Sequence, residues 1–408
     1  MGSFGRNELL VVVALGAFAR CLFRPGGLAR WPLAVIASLV TLPFCFETIY
    51  VRFASKSSSW KGTEGEAKAG QQKEDDDDVI ESTSSAREGM STKIIDKTAK
   101  KLVGVEKMLL KRPKIAWITV ALAFAAFSAW CTSMCLFCLG LISAKLAFSL
   151  STVSTFVAFT PLHDAVHYAV APAYPFFNEL IGQMCGVTLF APVPFFRYIH
   201  LMHHRYANDP SHSRVTGISL DPDHWAGEGA EWVLPFRWAT VFMYYVYWIR
   251  ADYFRRSNEG TVSASLMRVK DYSIIFFASL FLALLAIWRF GGVASAPIVC
   301  WICPQLAAST FLMYVFDYVP HRPHKIPYKS DPFQSTHVTR GFFSTTELDI
   351  PLLFQNYHLI HHLYPFVPFF SYKPIWIAHR EELLRKGSRV LPFFLLPSRK
   401  AYLKELID

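Results

Sequence analysis

The chain has 408 residues, 52% of them hydrophobic, and a formal net charge of +10 at pH 7. A mean hydropathy of +0.27 is high for a water-soluble chain and puts a membrane class first. The Lys and Arg residues flank apolar segments and form no single basic stripe, which argues against nucleic acid as a partner and for a bilayer with anionic headgroups.

Residues 8–23 and 31–52 are apolar, separated by Arg24, Pro25, Gly26, Gly27 and Arg30. Residues 1–53 therefore read either as an N-terminal apolar hairpin or as a targeting segment with one anchor. Residues 54–113 are dominated by Ser, Lys, Glu and Gly and contain the acidic run Glu74–Asp78. They bury too little apolar area to fold and read as a disordered linker. Its end, Lys97 to Lys114, is either a basic amphipathic helix on the membrane or a solvated linker end. Residues 114–408 form the main domain.

Within that domain, residues 115–161 carry one charge, Lys145, and suit two spans of about 20 residues each. Residues 172–196 are apolar but broken by prolines, which predicts an interfacial stretch that does not cross. Residues 231–250 are rich in Trp, Tyr and Phe and suit the interface. Residues 272–290 and 294–318 form a second apolar pair, split by Arg289, Gly291 and Gly292. The eight cysteines lie mostly inside apolar runs, where packing is a stronger reading than disulfides. The same holds for Cys300 and Cys303, despite their redox or zinc spacing. No internal repeat and no Gly-rich phosphate loop is present.

Eight of the fourteen histidines fall in three tight clusters: His163 and His167; His200, His203 and His204; His358, His361 and His362. Residues three and four apart share one helix face, so each cluster aims two or three imidazoles at one point. A single such histidine is usually a satisfied core residue. Three clusters at membrane edges would each need costly polar partners without a metal. Two crossings separate the first and second clusters from the third, so all three emerge on one face. That face also carries Arg205, Arg250, Arg255, Arg256, Lys325 and Lys373, whereas the opposite turns offer Lys145 and Arg289. Eight imidazoles exceed the needs of one ion, and a nitrogen-rich pair of sites suits iron and O2. A zinc hydrolase would add a carboxylate base, as in HExxH, and that motif is absent. Asp164 reads as a residue that caps or orients His163. The expected fold is an all-α integral membrane protein: two helical hairpins, giving four core transmembrane helices, that carry a histidine-rich di-metal cap on the cytosolic face, with the N-terminal apolar hairpin added.

The HxxxH, HxxHH and HxxHH boxes resemble those of the membrane fatty-acid desaturase and hydroxylase superfamily, over roughly residues 114–400. Further runs narrow the resemblance: Asn208-Asp209-Pro210, then Asp221-Pro222-Asp223-His224; Phe316 to Pro323; Gln355-Asn356-Tyr357 before the third box and Leu363-Tyr364-Pro365 after it. Together they look like the CrtR-type carotenoid β-ring hydroxylases. The resemblance implies two Fe ions held by nine histidines, with His321 in the ninth place. It also implies O2 as co-substrate and an external electron donor of the ferredoxin or cytochrome type. Asp223 and His224 either orient the second cluster or sit near substrate; Asn208, Asp209, Asp317 and Asn356 are further candidates for orienting the ligands. The chain departs from the family pattern at Val166 and Tyr364, and Val166 and Tyr168 are positioned to reshape a substrate channel. Phe176, Phe177, Phe195, Phe196, Phe366, Phe369 and Phe370 either line a path from the bilayer or anchor the interface.

The implied activity is hydroxylation of an unactivated C–H on a carotenoid β-ring. Two alternatives stand beside it: a fatty-acyl or sphingolipid desaturase, and a non-catalytic metal-stabilised membrane scaffold or receptor. The expected location is a plastid, endoplasmic reticulum or bacterial inner membrane.

Overall fold

A computed structural model describes residues 109–209, 232–290, 293–322 and 325–393. The N-terminal apolar pair, nearly all of the charged linker, and Asp223, His224, His212 and His324 lie outside the described residues.

Helix α1 (Trp117–Cys138) contains no charged residue and has a mean hydropathy of 1.8 over its most apolar window. Gly140, at φ +71°, turns the chain, and the Ser143 hydroxyl accepts the Leu146 N–H to cap α2 (Ala144–Val166). Buried alanines at 123, 126, 147 and 158 let α1 and α2 approach closely. Ser133 donates to the Ala147 carbonyl at 3.1 Å and accepts from Ser151 at 3.1 Å, so the polar groups between them are satisfied in place.

The proline-broken stretch folds as two helices, α3 (Pro175–Leu189) and α4 (Val193–Tyr206), bent by 89°. Phe190 adopts φ +57° at the corner, and Pro192 opens α4. Ile181, Cys185, Leu189 and Val193 are buried in the core made by α1 and α2, so this stretch packs against protein along much of its length. Two further helices follow, α5 (Leu234–Ala239) and α6 (Val241–Glu259), the latter ended by Gly260 at φ +69°.

The second apolar pair is α7 (Ala264–Phe290) and α8 (Ile298–His321). Helix α8 widens into π turns at Ile298–Ile302 and Met313–Tyr318. Each wide turn precedes a proline closely, Pro304 and Pro320 respectively. A proline supplies no N–H to the helical ladder and its ring displaces a preceding carbonyl, which a wider turn accommodates. Four helices (α1, α2, α7 and α8) are thus long and apolar enough to cross a bilayer, and α3–α4 would be a fifth span if the bent pair counts as one. Cys300 packs in a buried cluster with Trp130 and Trp301, and the Trp130 indole donates to its carbonyl at 3.0 Å.

The purely helical expectation needs one correction. Val338–Arg340 (β1) pairs in parallel with Val390–Pro392 (β2), Val338 opposite Val390. Three-residue strands are too short to show an alternating pattern, and their pairing depends on the tertiary approach of segments 50 residues apart in sequence. Between them lie α9 (His358–Leu363) and α10 (Tyr372–Arg385), so the pair closes the segment that carries the third histidine cluster.

Candidate metal centre

Helices α2 and α8 end on the same side, α4 ends beside them, and α9 lies across all three. His163 and His167 close α2; His200, His203 and His204 occupy the last turns of α4; His321 is the final residue of α8; His358, His361 and His362 sit on α9. The end of α2 is held by Arg197 of α4. Its guanidinium donates to the Val166 and Ala165 carbonyls, both at 2.9 Å, and Asn178 joins it on the Ala165 carbonyl at 2.8 Å, so the terminal acceptors of α2 are met by side chains of α3 and α4. The same group pairs with Glu179 at 2.6 Å and stacks over the Tyr168 ring at 4.1 Å.

The nine histidines form two separate groups of four. His163, His167, His200 and His361 make one; His203, His321, His358 and His362 make the other; within each, the potential ligand atoms lie within 4.8 Å of one another. His204 lies between them, close to His361 and His362. The Nε2 atoms converge: His163 to His361 at 3.1 Å, His200 to His204 at 3.1 Å, His203 to His362 at 3.2 Å, His321 to His358 at 3.0 Å and His358 to His362 at 3.1 Å.

That convergence fits a metal pair. A neutral imidazole carries one N–H, so the His358 nitrogen cannot donate to both of its neighbours, and lone pairs are left facing each other. The buried Nε2 of His167 has no hydrogen-bond partner among the described residues. Metal–imidazole bonds of about 2.1 Å place ligand nitrogens roughly 3–4 Å apart, which is the spacing found. Burial, and then the neighbouring imidazoles, hold His358, His361 and His362 well below the ordinary histidine value of 6.5. They are therefore neutral at pH 7, the form in which an imidazole can bind a metal.

A pH dependence follows. These histidines bind protons in the unfolded chain below about 6.5 but not in the fold, so stability is retained above that pH and lost as pH falls through it. Thermal unfolding of the chelated protein in detergent should show a flat stability from pH 7 to 8 and a steep loss from 6.5 to 5. A profile with no slope below 6.5 would contradict the buried neutral assignment.

Of the candidate orienting residues, Asp164, Asn208 and Asn356 tie polypeptide segments together. Asp164 does not bond His163: its buried carboxylate accepts the Thr119 hydroxyl at 2.9 Å and the Phe369 N–H at 3.2 Å, tying α1 and α2 to the turn after α9. Asn208, at φ +59°, donates to the carbonyls of Ile326 and Ser335 at 3.1 and 2.7 Å. Asn356 donates to the Thr345 carbonyl at 2.9 Å. The Asp209 N–H returns to the Tyr206 carbonyl at 2.9 Å and ends α4.

Tyr372 meets a ring directly. Its hydroxyl lies 3.1 Å from His361 Nδ1, so with Nε2 turned into the group, Nδ1–H donates to the phenol oxygen and the tautomer is fixed. Burial, and then Asp164, push this phenol well above its ordinary value and keep it neutral. Nothing in the sequence marks Tyr372 out among seventeen tyrosines.

An apolar cavity with an empty space of about 850 Å³, its opening included, runs from the histidines along α4 and α8. Phe195, Phe196, Phe159, Phe316, Leu312 and Val241 line its walls, and His163, His200, His203, His358 and Asp317 its upper end. Of the seven phenylalanines singled out by sequence, Phe195 and Phe196 reach it; Phe369 is buried in the cluster around α9 and α10, and Phe176 is exposed. Val166 is buried in the core and Tyr168 lies under Arg197, so neither lines the cavity.

The family model described as "Fatty acid desaturase" matches residues 139–394, which takes in all nine histidines. The chain belongs to the fatty acid desaturase family. Among individual proteins, this family member is similar to a beta-carotene ketolase of Paracoccus sp. (strain PC1), with 29% identity over 210 residues, 50% of this chain and 68% of that one. It is also similar to a dihydrorhizobitoxine desaturase of Bradyrhizobium elkanii, with 26% identity over 249 residues, 55% of this chain and 63% of that one. Membership makes it an oxidoreductase, and the histidine groups are suited to a di-iron centre.

Proposed function

We propose that this protein is an O2-dependent di-iron oxygenase embedded in a membrane, which oxidises an unactivated C–H bond of a lipid-soluble substrate. The observation that carries this reading is the pair of four-histidine groups at the end of an apolar cavity. Two irons bound there would supply reductive activation of O2. The balance is R–H + O2 + two electrons + two protons giving R–OH + H2O.

The protein's own part is to hold, orient and exclude. His163, His167, His200 and His361 hold one ion, His203, His321, His358 and His362 the other, and His204 lies within reach of both groups. Tyr372 fixes the His361 ring. The apolar walls keep water from the reacting carbon and favour a hydrocarbon there. Exposed Trp117, Phe124, Phe281, Leu282 and Trp288 on the long helices form the kind of apolar surface that lipid covers. The electrons would come from a donor of the ferredoxin or cytochrome type, as the family resemblance implies.

The finer proposal is oxygenation of a carotenoid β-ring, a hydroxylation that gives a ketone if repeated at the same carbon. It is supported by the box-flanking runs and by the similarity to the ketolase. A carotenoid role would place the protein in a plastid or bacterial membrane. The test is expression in bacteria that accumulate β-carotene, with a ferredoxin and its reductase co-expressed, followed by chromatography and mass spectrometry of pigments and acyl chains. New hydroxylated or keto carotenoids are expected. Unchanged pigments with new acyl double bonds would replace this reading with an acyl desaturase, in keeping with the similarity to the Bradyrhizobium desaturase.

A further inference from the structure

The apolar cavity ends on a polar floor. Gln305 and Ser309 line it, and both are buried, at 2% and 6% exposure, in the middle of the predominantly apolar helix α8. Polar side chains at such a depth are costly and require a partner or a function. Gln305 Nε2 donates to the Leu189 carbonyl at 3.4 Å and to the Ser309 hydroxyl at 2.8 Å. A carbonyl only accepts, so the nitrogen must face Leu189 and the amide orientation is fixed. The amide's two N–H groups are then used, and Gln305 Oε1 has no hydrogen-bond partner among the described residues.

Ser309 is equally unusual. Two hydroxyls on the same helix pair, α7 and α8, turn back to their own backbone: Ser273 donates to Val269 at 2.6 Å and Thr310 to Leu306 at 2.8 Å. The Ser309 oxygen instead accepts from Gln305 and leaves its own proton undonated among the described residues. The floor thus presents one acceptor and one donor, side by side, to whatever fills the cavity.

Its distance from the histidines follows from helix geometry. Gln305 and Asp317 line opposite ends of the cavity on one helix. At about 1.5 Å per residue they are separated by roughly 18 Å, slightly less through the π turn.

We propose that Gln305 and Ser309 bind a single oxygen function, a hydroxyl above all, at the buried end of an otherwise hydrocarbon substrate. A hydroxyl both donates and accepts, which matches the pair offered; a carbonyl oxygen would use the Ser309 donor alone. Held at that end, the chain is measured against the histidine centre, so the floor sets which carbon is oxidised. This inference rests on the reading that the cavity receives the substrate and on no other part of the proposed function; it favours a lipid that already carries one hydroxyl over unsubstituted β-carotene.

The test is equilibrium binding to the full chain in nanodiscs, without reductant, using two radiolabelled probes: a long-chain n-alkane and the primary alcohol of the same length. Two neutral hydrogen bonds should favour the alcohol by roughly tenfold. Ser309→Ala should bring the ratio close to one, whereas Ser309→Thr, which keeps the hydroxyl, should preserve it. Thermal unfolding of both variants, close to wild type, would show that the fold is intact. Equal affinity for the two probes in the wild type, or binding of neither, overturns the proposal. A preference unchanged by Ser309→Ala also overturns it and reduces the pair to a bracket on the α3–α4 corner. Because no turnover is read, a chain without oxygenase activity could still show the preference, and an active oxygenase could still lack it.

Discussion

Replacing His361 with alanine is expected to lower oxygenation more than about 100-fold, beyond the ~10–100-fold typical of losing a residue that merely supports a ligand. His361 belongs to the first four-histidine group and also stands with His204 and His362 between the two groups. Its loss would leave three histidines in the first group and remove a neighbour from the residues between the two. Iron measured per chain should fall from a filled pair toward one ion or none. His379→Ala is the matched control: His379 lies on α10, outside every histidine group. Wild-type iron content and turnover in His361→Ala, with the protein folded, would remove His361 from the ligand set.

Arg197→Ala is expected to destabilise the fold by about 3 kcal/mol, because it leaves a largely buried carboxylate unpaired and uncaps a helix. Glu179 and Arg197 are 16% and 15% exposed at their side chains, so water screens the loss only in part. The guanidinium is also the clamp on the Ala165 and Val166 carbonyls, immediately before His167. Denaturant unfolding in detergent would give the cost. The double variant Arg197→Ala with Glu179→Ala separates the two roles. It should recover the share due to the stranded carboxylate and keep the share due to the uncapped α2, read as reduced metal affinity. Full recovery of both stability and metal binding in the double variant would show that the carbonyl contacts contribute nothing.

Asp164 shows how a side chain takes partners far from its sequence neighbours. Its place beside His163 suggested a local partner, yet its carboxylate reaches Thr119 and Phe369, 45 and 205 residues away. A helix face predicts which side chains start together, not which distant segments arrive to meet them. Tyr372 is the converse case. No local pattern marks it, and it becomes a partner of His361 only because α10 folds back over α9. The floor of the cavity was hidden for the same reason: Gln305 acquires its meaning from the Leu189 carbonyl at a corner 116 residues away.

What the sequence determined by itself was everything carried by short-range periodicity and long apolar runs. Four helices of bilayer length follow from runs with almost no charge, and the box spacings of three and four residues put each cluster on one helical face. Two helices of that length between the second and third clusters return the chain to the side where the histidines meet. Tertiary structure alone decided how nine imidazoles divide into two groups with His204 between them, where the cavity runs, and that Val338 pairs with Val390. Those outcomes depend on contacts between residues tens to hundreds of positions apart. Their energies come from packing, and packing leaves no periodic signature in the chain.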